Sequence, residues 1–137
     1  MAMGLFQAKI KSEAGLWRIG SAGVWAEEGL PAATNTKLVV HKRGIDLSSH
    51  RSTRISSELL EEYALILVME KWQRDALRST FPIFSDKVFQ LSEMAHKNGD
   101  IIDPIGHPLL EFEATAREIE IFLNQGFDQI SQLSSKQ

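Results

Sequence analysis

A continuous apolar run in the middle of the chain places the strongest restriction on its fold. Residues 64–69 read Ala-Leu-Ile-Leu-Val-Met, with no polar residue among them. A strand with one solvated face alternates apolar and polar residues, whereas a strand buried on both faces of a parallel sheet is apolar throughout. The run is also far too short to span a bilayer. It therefore predicts a buried strand in a parallel sheet, whose neighbours are reached through crossover helices.

Helical and extended patterns alternate on both sides of this run. Apolar spacing and capping residues predict helices over residues 2–14, 32–43, 57–62, 70–78 and 109–123. Two further short strands are predicted over residues 16–19 and 87–91. Such alternation is typical of an α/β protein with three layers, in which helices cover both faces of a small, mostly parallel sheet.

Length and composition favour one domain and restrict the partners. The chain has 137 residues, 43% of them hydrophobic, so we expect a single domain over residues 1–126 and a frayed Ser/Gln-rich tail over 127–137. A net charge of −3 argues against a nucleic-acid partner. The N-terminus lacks the pattern of a signal peptide, which predicts a cytoplasmic protein without a membrane partner.

Metal and thiol chemistry are not indicated. The sequence contains no cysteine, so neither a disulfide nor a thiolate ligand can form within it. The four histidines show no ligand spacing; they are His41, His50, His96 and His107. We therefore expect neither a metal nor a cofactor.

Asp103 and Pro104 lie in the loop that follows the last predicted strand. Ligand sites of open α/β sheets lie beyond the carboxyl ends of the strands, and proline holds the preceding residue extended. One interpretation is therefore a carboxyl group fixed as a proton donor. The alternative is an ordinary turn, since both residues are common in turns.

Residues 46–54 form a basic, hydroxyl-rich segment that also allows two interpretations. In the first, the loop donates hydrogen bonds that steady a phosphate site. In the second, it is a solvated connection in which His50 bonds nearby backbone. Among the tryptophans, Trp17 and Trp72 are predicted to be core residues, whereas Trp25 follows a glycine in a loop and either covers the core or lines a pocket.

Taken in order, several short motifs resemble the low-molecular-weight protein phosphatase family, and especially its bacterial branch. The match runs over about residues 1–124, and the segment over residues 99–104 is similar to bacterial protein-arginine phosphatases of this family. The motifs that carry the resemblance are Gly20-Ser21-Ala22-Gly23, the segment from Gly44 to Ser52, Ile66-Leu67-Val68-Met69-Glu70 and Asp103-Pro104-Ile105-Gly106.

The resemblance implies a phosphotyrosine protein phosphatase I-like fold whose first, central strand is absent. In the family that strand leads into a loop of the form C-x-x-x-x-x-R-S-P-M-A-E, whose cysteine attacks phosphorus. Met1-Ala2 aligns with the M-A of this loop, so the cysteine lies outside the 137 residues and we expect an N-terminally truncated domain. The family sheet has the order 2-1-3-4, so loss of its first strand would expose two strand edges.

The resemblance also implies roles for five residues. Asp103 is the general acid, Ser21 and His50 support the phosphate loop, and Trp25 and Ile105 line the wall of the substrate cleft. An aromatic residue often stands at the position of Ile105, so its aliphatic side chain leaves phosphotyrosine and phosphoarginine both open as substrates.

Two hypotheses about function follow. The first is a phosphatase-family domain that hydrolyses phosphorylated protein side chains through a phosphocysteine intermediate, but is inactive as the present chain because the nucleophile is absent. The second is a non-catalytic binding or regulatory module derived from the same fold. The expected partners are a phosphorylated protein or a small phosphoester, if the missing loop is supplied, and other copies of the chain that associate through exposed strand edges.

Overall fold

The computed structural model describes residues 1–23 and 27–135. Its helices are α1 (Ala2–Lys9), α2 (Thr34–His41), α3 (Ser57–Glu61), α4 (Lys71–Thr80), α5 (Leu91–Met94), α6 (Leu109–Gln125) and α7 (Phe127–Ser134). Its strands are β1 (Ile66–Val68) and β2 (Val88–Gln90), and two 3-10 helices span Lys11–Leu16 and Pro82–Lys87. Within the described ranges, no helix is long and apolar enough to cross a bilayer.

The chain forms two compact units. The first comprises residues 1–54 with 103–120, and the second comprises residues 55–102 with 121–137. The interpretation of residues 1–126 as a single domain stays a prediction.

The first unit is built from helices whose apolar faces are buried as their spacing predicts. In α1, Leu5 and Phe6 are buried, and Ile10 follows at the helix end. In α2, Val39 and Val40 are completely buried. Gly44 closes the chain after α2 with a φ of 83°, the left-handed conformation that glycine adopts without a steric penalty.

The strand predicted over residues 16–19 is wrong. The first helix gives way at Lys11 to a 3-10 helix, within which Glu13 departs from helical geometry. Trp17 is extended, with a φ of −124°, and its ring meets the ring of Phe6 edge-on at 5.1 Å. Extended backbone becomes a strand only when a neighbouring strand completes its hydrogen-bond ladder, and the strand pairings within the described ranges do not include residues 16–19.

The second unit contains the sheet, which is parallel as the sequence predicts. β1 and β2 pair in the register Ile66 with Val88, Leu67 with Phe89 and Val68 with Gln90, and α4 lies between them in the chain. The prediction that the apolar run is buried on both faces is wrong, because all three residues of β1 are half-buried. The described sheet has only two strands, so β1 has a strand neighbour on one side alone.

Helix boundaries in this unit follow local signals. Ser56 caps α3, its hydroxyl accepting a hydrogen bond from the Leu59 N–H at 3.1 Å. Glu70 and Gln73 form a reciprocal capping box at the start of α4. Trp72 lies on the first turn of α4 and is 43% exposed, so its assignment to the core is wrong.

The C-terminal region is more ordered than the sequence predicts. The predicted stripe of α6 is buried, and it comprises Phe112, Ala116, Ile119 and Leu123. Residues 127–134, expected to fray, instead form α7, and Ile130 is only 3% exposed. The helix packs against α5, which supplies the apolar surface that an isolated short helix lacks.

Candidate functional site

The first unit has a small, partly open cavity of about 180 Å³ beside the start of α1 and α2. Ser21 and His50, which the resemblance places together as supports of a phosphate loop, both line it. Most of the remaining wall is apolar. It is formed by Met1, Met3, Leu30, Pro31, Ala32, Ala33 and Leu47, with Thr36 and Ser52 as further polar members.

A turn within residues 46–54 brings His50 to this wall. The Asp46 carboxylate accepts a hydrogen bond from the Ser48 N–H at 2.8 Å, and this bond lowers the pKa of Asp46 below its usual range. Leu47 is buried, and its carbonyl accepts the N–H of His50 at 3.0 Å. The segment is therefore a hydrogen-bonded turn anchored by Leu47, and most of its other residues are exposed.

Ser52 joins this turn to the segment before α2. Its hydroxyl accepts the Leu30 N–H at 2.9 Å and donates to the carbonyl of Glu27. Its own N–H donates to the Leu30 carbonyl at 2.7 Å. Ser52 belongs to the segment that the sequence analysis offered as a phosphate-site loop. Thr36 is a cavity residue that sequence reasoning missed, because nothing in its local spacing distinguishes it from other hydroxyl residues.

Asp103 is exposed and occupies a turn. One carboxylate oxygen accepts the Ile105 N–H at 3.0 Å, and the Pro104 carbonyl accepts the His107 N–H at 2.9 Å. Gly106 completes the turn with a φ of 84°. The turn interpretation is therefore correct for the local geometry. The hydrogen bond from the Ile105 N–H also fixes the direction of the Asp103 carboxylate, as a proton donor requires. The geometry is therefore compatible both with an ordinary turn and with a general acid.

Asp103 contributes to one pKa shift in the first unit. Burial lowers the pKa of the Met1 amino group, and the negative charge of Asp103 acts on that group in the opposite direction.

The structure brings together only some of the residues expected at the site. Ser21 and His50 share the cavity wall, whereas Asp103 and Ile105 are not among its lining residues. Ile105 is 66% exposed, so its side chain is available for contact. Trp25 lies outside the described residues.

Serine, threonine and imidazole groups of this kind hold a loop or an anion by hydrogen bonds. The sequence has no cysteine. Over residues 1–23 and 27–135, no three His, Asp or Glu side chains cluster in a way that would hold a metal ion.

Comparison with known proteins identifies the family. The model of the low molecular weight phosphotyrosine protein phosphatases matches residues 1–136. This chain belongs to that family. A protein-arginine-phosphatase from Geobacillus stearothermophilus is 32% identical over 108 residues, which cover 78% of this chain and 72% of the relative.

Solved structures of the family share the fold of this phosphatase-family chain. A low molecular weight protein tyrosine phosphatase from T. tengcongensis superposes with a TM-score of 0.87 at 36% identity, covering 93% of this chain and 88% of the other. An arginine phosphatase mutant with a phosphorylated active-site serine also gives 0.87, at 30% identity, covering 95% and 86%. The predicted family and fold class are confirmed, and a non-catalytic module is not favoured.

Proposed function

We propose that this chain carries the general acid and the supporting side chains of a phosphatase site that acts on phosphorylated protein side chains. The observation that carries the proposal is the shared cavity of Ser21 and His50, the two residues assigned to support the phosphate loop. Relatives named for tyrosine and for arginine dephosphorylation support phosphotyrosine or phosphoarginine as the substrate.

The proposed reaction has two steps. A thiolate attacks phosphorus, an S–P bond forms and the bond to the leaving oxygen or nitrogen breaks, while Asp103 gives that atom its proton. Water then cleaves the S–P bond, returning its proton to Asp103 and releasing phosphate. The relative with a phosphorylated active-site serine supports a covalent phosphoenzyme.

Because the 137 residues contain no cysteine, they cannot form the phosphocysteine by themselves. Purified chain and its Asp103→Asn variant are expected to hydrolyse p-nitrophenyl phosphate at the same background rate. Hydrolysis by the chain above that of the Asp103→Asn variant would contradict the proposal.

A gain-of-function experiment tests the roles directly. We define the extended chain as a protein in which a family strand and a loop of the form C-x-x-x-x-x-R-S-P are added before Met1. This extended chain is expected to hydrolyse phosphoesters, and Asp103→Asn should lower its kcat by about 10²–10⁴-fold. Its loop Cys-to-Ser variant is the inactive control. An active extended chain that is insensitive to Asp103→Asn would remove Asp103 from the mechanism.

We further propose a bacterial, cytoplasmic protein that self-associates. The Geobacillus relative supports a bacterial source. The half-buried apolar strand β1, with a strand neighbour on one side alone among the described residues, supports association through its other edge.

A further inference from the structure

A buried polar network lies at the carboxyl end of the sheet in the second unit. Gln90, the last residue of β2, is 3% exposed, and its side-chain amide donates to Asp100 Oδ1 at 2.9 Å and to the Gly99 carbonyl at 3.2 Å. The hydroxyl of Ser92, also buried, donates to the same Gly99 carbonyl at 3.0 Å. Both side chains therefore bind Gly99, and the Gln90 amide also reaches the Met69 carbonyl at 3.5 Å.

Two backbone contacts fasten residues 99–101 further. Asp100 Oδ1 also accepts the N–H of Lys71, the first residue of α4, at 2.9 Å, where the helix dipole favours a negative charge. The Ile101 N–H donates to the Met69 carbonyl, just beyond β1, at 3.0 Å. Residues 99–101 are thus held to the ends of both strands and to the start of α4.

The held segment leads directly into Asp103. Ile101 is buried and precedes Asp103 by two residues, a length of chain that reaches at most about 7 Å. Pro104 keeps Asp103 extended, and the Ile105 N–H orients its carboxylate. Without the network, the Asp103 carboxylate would keep its hydrogen bond within the turn, but residues 99–101, which lead into it, would no longer be anchored.

We propose that Gln90 is a positioning residue for the general acid, acting through Asp100 and Gly99 and touching no substrate. This inference rests on the proposed acid role of Asp103. A buried side chain satisfies its donors wherever acceptors are near, and here the two shorter hydrogen bonds of Gln90 go to Gly99 and Asp100, four and three positions before the acid. An acid displaced by about 1 Å loses about two orders of magnitude in rate.

The first arm of the test uses the 137-residue chain and amide hydrogen exchange. In Gln90→Leu, the Ile101 N–H should exchange at least about tenfold faster, because its anchored segment opens locally. Gln73→Leu is the matched control. It removes hydrogen bonds to the Met69 and Glu70 N–H groups at 3.1 and 3.0 Å, at the end of β1, and makes none to residues 99–101. Equal exchange at Ile101 in Gln90→Leu and the unsubstituted chain would overturn the proposal.

The second arm uses the extended chain with two substrates, phenyl phosphate, which has a poor leaving group, and p-nitrophenyl phosphate, which has a good one. A misplaced acid matters most for the poor leaving group. Gln90→Leu should lower kcat about 100-fold for phenyl phosphate and about tenfold or less for p-nitrophenyl phosphate. A merely structural loss lowers both by one factor, and that result would overturn the proposal.

Two further variants separate the possible failures. Gln90→Glu places an acceptor beside Asp100 and should reproduce the loss, while adding Asp100→Asn supplies a donor and should restore part of the phenyl phosphate rate. If Asp103→Asn itself shows no leaving-group dependence, the proposed function fails and this inference fails with it. If Asp103→Asn shows a leaving-group dependence and the Gln90 variants do not, Asp103 keeps its role as the general acid and the positioning role of Gln90 is wrong.

Discussion

At the scale of single residues, the backbone conformation just after α2 requires glycine at position 44. Gly44 has a φ of 83°, in the left-handed region where a Cβ atom is strained. The atom nearest to an added Cβ is Lys11 Nζ at 3.2 Å, the mobile end of a long side chain, so crowding is a minor term. The conformation itself therefore determines the cost of a substitution.

We predict that Gly44→Ala lowers the free energy of unfolding by about 1–2 kcal/mol. Gly15→Ala is the matched control, since Gly15 has no positive φ and an added Cβ would have no neighbour within 4 Å. Its effect should be neutral or slightly stabilising. Urea unfolding of the three proteins measures both changes, and equal midpoints for the two variants would refute the backbone argument.

Single residues also show where sequence reasoning fails. Trp72 has the large apolar side chain of a typical core residue, yet it lies on the exposed side of the first turn of α4. Burial of an aromatic residue depends on which helix face meets a neighbour, and that is decided by distant parts of the chain. Leu77, on the same helix, is buried.

At the scale of elements, the contact of α7 with α5 depends on the absence of a Cβ atom at Gly126. A Cβ atom at Gly126 would lie 2.6 Å from Met94 Cβ and 2.9 Å from the Met94 backbone carbon. Neither of these atoms can move away by a side-chain rotation. Glycine therefore allows the close approach that buries Ile130.

We predict that Gly126→Ala lowers the free energy of unfolding by about 1–3 kcal/mol, because α7 must shift from α5. The exposed neighbour Gln125 supplies the control, and Gln125→Ala should change stability by less than about 0.5 kcal/mol. Truncating Met94 to alanine should not rescue Gly126→Ala, since the clashing atoms remain. Rescue by that double variant would show that the crowding is misassigned.

Ion pairs fasten the end of α2 to α6 within the first unit. Arg43 binds both carboxylate oxygens of Glu120, at 3.0 and 2.9 Å, and Lys42 binds Glu113 at 2.8 Å. The hydrogen bond from Lys42, assisted by the charge of Arg43, lowers the pKa of Glu113. A carboxyl group whose pKa is lower in the folded state stabilises the fold above its unfolded pKa of about 4.3.

We therefore predict that stability falls as the pH drops below about 4.3 and through the lower folded pKa of Glu113. Glu113→Gln should lower the urea midpoint at pH 7 and make its decline between about pH 5 and 3 less steep. Glu118→Gln, at an exposed position of the same helix, is the control and should leave the steepness unchanged. Identical pH profiles for Glu113→Gln and the unsubstituted chain would exclude this linkage.

At the scale of the whole molecule, the two-stranded sheet of the described residues is the basis for predicting self-association. An unpaired strand edge offers backbone donors and acceptors to another chain, and an apolar strand adds a hydrophobic contribution. β1 is apolar and only half-buried, and within the described ranges no strand lies on its second side.

We predict that the chain self-associates and that Leu67→Lys in β1 reduces this association, since an edge lysine opposes strand pairing. Sedimentation velocity over a concentration series measures the effect, with urea unfolding to confirm that the variant folds. Leu16→Lys is the control, because Leu16 is 83% exposed and lies outside the sheet. A monomer at every concentration with cooperative unfolding would contradict the prediction.

Short-range signals account for most of what could be predicted about the elements. The end of α2 follows from Gly44, and the start of α3 follows from Ser56. The parallel pairing of β1 with β2 follows from two apolar segments separated by one helix. By contrast, residues 16–19 have the composition of a strand, but the strand pairings of the described residues do not include them, and pairing is a property of two segments.

The sequence by itself determined the family, through motifs in a fixed order, and the lack of a thiol, through composition. Only the tertiary structure decided that Ser21 and His50 share a cavity, that α7 packs on α5, and that Gln90 holds the segment before Asp103. The physical reason is the separation along the sequence of the residues that interact. Caps, turns and periodicity are fixed by residues a few positions apart, whereas cavities and buried networks exist only after distant segments have met.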